Sequence, residues 1–150
     1  MERWLKLIEP VQSYDDIGQC HVVIEAMFER VPIKEEVFKK IDQVMKPGAL
    51  LYTNTSDIDI MANATKRPQD VAGTHFFAPG NVMKLFEVVK GAKSAPDTSA
   101  TAMDLGRKIG KISAMAGNGD GFVANRSRTP FGTEMNIMVD KAYSPSRSTR

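Results

Sequence analysis

The sequence predicts an α/β fold built on a mostly parallel sheet. Short, β-rich apolar runs recur at residues 20–26, 49–53, 71–77, 85–89 and 111–116. Segments with helical periodicity separate most of them, the alternation expected of parallel strands joined by crossover helices. The first run is continuous rather than alternating, which points to a strand covered on both faces. At 150 residues the chain has the length of about one domain. Its 42% apolar and 25% charged residues exclude a largely disordered chain.

The elements follow in order. Cys20-His21-Val22-Val23-Ile24-Glu25-Ala26 reads as the first strand. Pro32 then opens a helix, since proline suits the first helical turn. Ile33, Val37, Ile41 and Val44 recur at helical spacing and make one apolar stripe, with Lys34, Glu35, Lys39 and Lys40 mostly off it. Pro47-Gly48 stops that helix, and Ala49 to Thr53 reads as a second buried strand. Residues 57–67 suggest a weaker helix closed by Pro68. Val71 to Phe77 is the third strand and Leu85 to Val89 the fourth. Pro96-Asp97 begins a helix on which Ala102, Leu105 and Ile109 share a face. Lys111 to Ala116 is the fifth strand, and a last helix starts near Phe122. From residue 140 the chain turns polar and Pro/Ser-rich, the composition of a disordered end.

Several functions are excluded or left without support. One cysteine, Cys20, forms no internal disulfide, and with only His21 and His75 beside it no Cys/His zinc site is available. A reducing, intracellular compartment is the simple expectation. No apolar run reaches the length of a membrane span, and the first residues lack a signal-peptide core. Five of the 20 basic residues and only two of the 18 acidic ones lie in residues 121–150, so the excess positive charge is a tail property. Without interleaved aromatics it gives no case for nucleic-acid binding.

His75 is the one histidine placed for chemistry. It ends the third strand in Gly73-Thr74-His75-Phe76-Phe77-Ala78-Pro79, and open α/β sheets put their ligands at strand ends. It reads equally as a ring packed between aromatics. Glu87 interrupts the apolar run Leu85-Phe86-Glu87-Val88-Val89. On a central strand its carboxylate needs a partner, and beside His75 it would orient the ring as in a general-base pair. On an edge strand it would face solvent. Thr53-Asn54-Thr55-Ser56 follows a strand and serves either a ligand or the next helix cap. Gly117-Asn118-Gly119-Asp120-Gly121-Phe122 fails the dinucleotide fingerprint because Phe122 stands where glycine is required, so it reads as a tight turn.

Together these motifs resemble the NAD-binding region of the L-3-hydroxyacyl-CoA dehydrogenase family. The segments that carry the resemblance, in family order, are Val23-Ile24-Glu25-Ala26, Lys34-Glu35-Glu36-Val37-Phe38, Thr53-Asn54-Thr55-Ser56, Gly73-Thr74-His75-Phe76-Phe77-Ala78-Pro79, Met83-Lys84-Leu85-Phe86-Glu87-Val88-Val89 and Asp120-Gly121-Phe122-Val123-Ala124-Asn125-Arg126. The resemblance implies that His75 takes the proton of a 3-hydroxyl and that Glu87 is its carboxylate partner, with side chains within about 4 Å. It implies Ser56 and Asn125 as substrate contacts. It implies Ala26, Glu29, Lys34, Asn54 and Ser56 as contacts to NAD, with a 3-hydroxyacyl-CoA as substrate and fatty-acid β-oxidation as the setting.

The family's G-x-G-x-x-G turn, which cradles the pyrophosphate, precedes the segment matching residue 20 and has no counterpart here. The expectation is therefore an incomplete doubly wound sheet, its second half only, in residues 1–117. Residues 118–139 would begin a helical domain and 140–150 a tail. Two functional readings follow: a dehydrogenase of this family, or a catalytically inert truncated product. An exposed strand edge in such a piece favours homo-oligomers or aggregation.

Overall fold

The computed structural model describes residues 5–27, 30–54 and 58–142. Five strands form one sheet in the order β1-β2-β3-β4-β5, the order of the sequence. They are β1 (Val22–Glu25), β2 (Leu50–Thr53), β3 (Val71–Phe76), β4 (Leu85–Lys90) and β5 (Ile112–Gly117). The helices are α1 (Val31–Val44), α2 (Ile58–Asn63), α3 (Pro96–Lys108) and α4 (Ala124–Ala142). None is long and apolar enough to cross a membrane among the described residues.

Connections decide strand directions. β1 to β2, β2 to β3 and β4 to β5 are each joined through a helix and pair in parallel. β3 and β4 have only residues 77–84 between them, too few for a crossover, and pair antiparallel. The Ala78–Pro79 peptide in that connection is cis. The sheet is thus mostly parallel, with one reversal beside His75.

Helices cover both faces. On one face Val37, Phe38 and Ile41 of α1 and Met61 of α2 pack on Leu51, Val71, Val89 and Ala116. On the other, Ala102 of α3 packs over Tyr52, Ala72, Phe86 and Val88. Proline in the first turn starts both long crossover helices, with Pro32 in α1 and Pro96 in α3.

Four sequence expectations change. β1 is not buried on both faces, because it is an edge strand and Ile24 remains 38% exposed. The weak helix of 57–67 shrinks to Ile58–Asn63, followed by a 3-10 turn at Pro68–Asp70. There Arg67 reaches back to Asp42 and to the carbonyls of Lys46 and Ala49, tying the α2–β3 connection to the end of α1. The last helix starts at Ala124 rather than Phe122 and runs through Pro130 to Ala142, past the expected boundary at 139. Lys34, placed off the apolar stripe, is fully buried. Of the expected tail, residues 143–150 lie outside the described residues.

Two stability results follow from this packing. A Cβ at Gly106 would stand 2.1 Å from Ser113 Oγ and 2.6 Å from the buried Phe86 ring. Gly106→Ala should therefore destabilise the fold by about 1–3 kcal/mol, the range for overpacking. Urea denaturation measures it, and an unchanged midpoint would show that α3 can lift off β5 freely. Tyr52 is fully buried and its hydroxyl donates to the Thr98 carbonyl at 2.9 Å. Burial pushes its phenol well above the ordinary tyrosine value. That contribution to stability is complete below the ordinary value of about 10 and is lost as pH rises towards the raised one. The wild-type melting temperature should fall more steeply than that of Tyr52→Phe between about pH 9 and about pH 11. Parallel slopes for the two proteins would contradict the burial argument.

Candidate active site

The antiparallel register of β3 and β4 sets His75 directly opposite Glu87. Directly opposed residues point to the same face with their Cβ atoms close. Their side chains meet there, with His75 Nδ1 2.8 Å from Glu87 Oε2. A carboxylate only accepts, so Nδ1 carries the proton and Nε2 is the ring atom able to take another. β4 is central, Glu87 is fully buried, and the solvent-facing alternative does not occur.

The His75 ring is packed between aromatics, as one of its two readings has it, without being closed off. Its ring packs edge-on against Phe77 and Phe122, with centroids 4.6 and 5.4 Å away. Its side chain remains 19% exposed, so one side of the ring is open. The aromatics limit how the ring can turn, and the carboxylate selects which nitrogen faces outward.

Glu87 has further partners. Its Oε1 accepts the backbone N–H groups of Val123 and Ala124, at 3.2 and 2.9 Å. These groups stand at the start of α4, where helices leave N–H donors unsatisfied. The chain enters α4 through Gly121 at φ +68° and Phe122 at φ +48°. A Cβ at Gly121 would lie 2.8 Å from the Arg126 nitrogen, so glycine is required there. Phe122 holds a left-handed conformation that bulky residues avoid, and its buried ring secures it in the core. Asn125 lies in the first turn of α4 and is exposed.

The neighbouring strand ends are tied to this centre. Asn54, just past β2, accepts the Phe76 N–H on its Oδ1 at 2.9 Å. Its own N–H donates to the Glu25 carbonyl at 2.9 Å. Thr53-Asn54 therefore serves strand ends rather than a helix cap, while Thr55 and Ser56 lie outside the described residues. Ala26, immediately after β1, is exposed. Glu29 also lies outside the described residues.

Lys34 is held in a buried ion pair. Its Nζ lies 2.9 and 3.0 Å from the two oxygens of Glu25, and both side chains are almost wholly enclosed. Thr53 Oγ1 donates to Glu25 Oε2 at 2.7 Å, and the Met27 N–H donates to Oε1. Glu25 thus binds the first turn of α1, the loop after β1 and the end of β2. Sequence reasoning gave no role to Glu25 or Phe122. A carboxylate at a strand end followed by a lysine in the next helix was the available signal for the first. The glycine-rich turn beside an aromatic was the signal for the second. Among the described residues no group of His, Cys, Asp and Glu could hold a metal ion.

Comparison with known proteins agrees with this architecture. A Danio rerio peroxisomal bifunctional enzyme is 41% identical over 145 residues, 95% of this chain and 20% of the relative. The human peroxisomal bifunctional enzyme is 44% identical over 135 residues, covering 89% of the chain and 19% of the relative. The chain thus spans about a fifth of the length of these curated relatives. Among solved structures, Escherichia coli 3-hydroxybutyryl-CoA dehydrogenase superposes with a TM-score of 0.90 at 36% identity, covering 93% of this chain and 30% of that one. (S)-3-hydroxybutyryl-CoA dehydrogenase from Ralstonia eutropha gives 0.87 at 32% identity, covering 95% and 51%. The family model of the 3-hydroxyacyl-CoA dehydrogenase NAD-binding domain matches residues 1–118, the whole sheet with its paired histidine and glutamate, and the chain belongs to that family.

Proposed function

We propose that this chain carries the proton-accepting half of an NAD-dependent dehydrogenase that oxidises L-3-hydroxyacyl-CoA to 3-ketoacyl-CoA in fatty-acid oxidation. The observation that carries the reading is the His75–Glu87 pair at 2.8 Å, buried at Glu87 and open at the ring. Residues 1–117 serve as the cofactor-binding part, and the family match ending at 118 supports that boundary. Residues 118–142, which include α4, begin the substrate-side helical part.

The residues fit the cofactor at one end. Asn54 commits its amide oxygen to Phe76, which leaves its NH₂ group to donate to a carboxamide. Ala26, exposed just after β1, and Glu29 and Ser56 are assigned the neighbouring contacts. Lys34 acts through Glu25, holding the loop on which Ala26 sits. NAD, when bound, supplies the hydride acceptor. His75 Nε2 takes the hydroxyl proton as C3 loses its hydride. Glu87 keeps Nδ1–H oriented and balances the charge the ring acquires. Asn125 and Ser56 hold the substrate near the ring.

The test is NADH formation from NAD and a short-chain L-3-hydroxyacyl-CoA. The chain alone should be silent, because its sequence lacks the G-x-G-x-x-G turn that binds pyrophosphate. Grafted into the E. coli relative in place of the matching segment, it should restore NADH formation. A folded graft that makes no NADH sinks the reading. In that case the inert alternative stands.

The compartment proposed is intracellular, in line with the peroxisomal and bacterial relatives. Self-association is proposed for the isolated chain, with no nucleic-acid or membrane partner. β1 has one neighbour in the sheet, and Phe131 and Met138 of α4 are about two-thirds exposed. Sedimentation at about tens of micromolar should show oligomers, and a clean monomer would refute this.

A further inference from the structure

Every hydrogen bond that joins α4 to the sheet among the described residues ends on one oxygen, Glu87 Oε1. α4 has no buried residue along Ala124–Ala142. Its other tie to the sheet is the Phe122 ring just before it. The same carboxylate holds His75 through its second oxygen. A single buried side chain on an interior strand therefore touches the base and the root of the helix that carries Asn125.

We propose that Glu87 is a positioning residue for Asn125 as well as the partner of His75. Its Oε2 sets the imidazole and its Oε1 clasps the first turn of α4, so the base and the substrate contact are placed by one group. The N-terminal end of a helix favours an anionic acceptor, and two N–H donors converging on Oε1 fix the direction of that turn. The clasp matters because Gly121 and Phe122 form a left-handed joint with little else to fix the exit angle. The base needs the carboxylate, and the joint needs only an oxygen acceptor. Glutamine separates these requirements. Its amide oxygen can keep the clasp while its NH₂ group faces Nδ1 and reverses the hydrogen bond to the ring.

The proposal rests on Asn125 as a substrate contact, but its test uses no substrate. Amide hydrogen exchange and the His75 ring tautomer are read by NMR on the whole chain. In Glu87→Ala, exchange at Val123 and Ala124 should rise by about tenfold, the scale of one lost hydrogen bond to a charged acceptor, with Ala114 in β5 unchanged. In Glu87→Gln those two amides should stay within about twofold of wild type while the His75 tautomer changes. Ala124→Pro removes one donor at a position where proline suits a helix, and covers the case in which Glu87→Ala does not fold. It should speed exchange at Val123 and Asn125 and leave the His75 tautomer as in wild type. Unchanged exchange in a folded Glu87→Ala, or in Ala124→Pro, overturns the proposal. So does a Glu87→Gln protein that loses protection at both amides. A failed NADH assay with these results intact would remove the role of Asn125 and leave the clasp.

Discussion

Lys34→Met should lower folding stability by about 3–5 kcal/mol, the scale for leaving one partner of a buried ion pair alone. Methionine roughly keeps the length and apolar stem of lysine, so little cavity forms and the loss reports the charge. Glu25 would keep Thr53 Oγ1 and the Met27 N–H, yet it would hold an uncompensated charge at 4% exposure. Such a group is far from water and its desolvation goes unanswered. The paired change Glu25→Gln with Lys34→Met should recover most of the stability, because the buried charge leaves with its partner. Urea midpoints for the two single variants and the double variant measure the coupling. A loss under about 1 kcal/mol for Lys34→Met would mean that water reaches Glu25, as for an ordinary surface pair. Lys34 would then be free to contact a ligand directly.

The same residues show where sequence reading reaches and where it stops. The stripe Ile33, Val37, Ile41 and Val44 located α1, because helical periodicity is a local property of the chain. It missed Phe38, which is buried because α1 meets both the sheet and α2 across a wider face than one stripe. It misread Lys34, whose burial depends on a carboxylate in another element. The five strands were legible because sheets with helices on both faces demand apolar runs. The exposure of Ile24 was not, since position within a sheet is set by topology. For His75 and Glu87 the residues alone left two readings each. The short β3–β4 connection decides between them for Glu87, because it forces the antiparallel register that sets the two side chains opposite. The left-handed Phe122 has no local signature beyond its glycine neighbours.

In the NADH-forming graft, His75→Ala should reduce kcat by about 10²–10⁴-fold, the range for a lost general base. That is about 3–5 kcal/mol of transition-state stabilisation. The loss should fall on kcat and kcat/KM alike, with KM nearly unchanged, because the proton moves only in the transition state. Three observations argue for so large an effect. Nδ1 is committed to Glu87 at 2.8 Å, so only Nε2 can receive the proton. Phe77 and Phe122 hold the ring edge-on, so the nitrogen is presented in one direction. Removal of the ring would leave Glu87 buried and still tied to the root of α4, where it cannot simply move forward as a substitute base. NADH affinity, read by fluorescence titration, should stay within about twofold, since no cofactor contact is assigned to the imidazole. A loss of less than about tenfold in kcat would show that water or another side chain accepts the proton. A large fall in NADH affinity with kcat preserved would place His75 among the cofactor contacts and leave the reaction without its base.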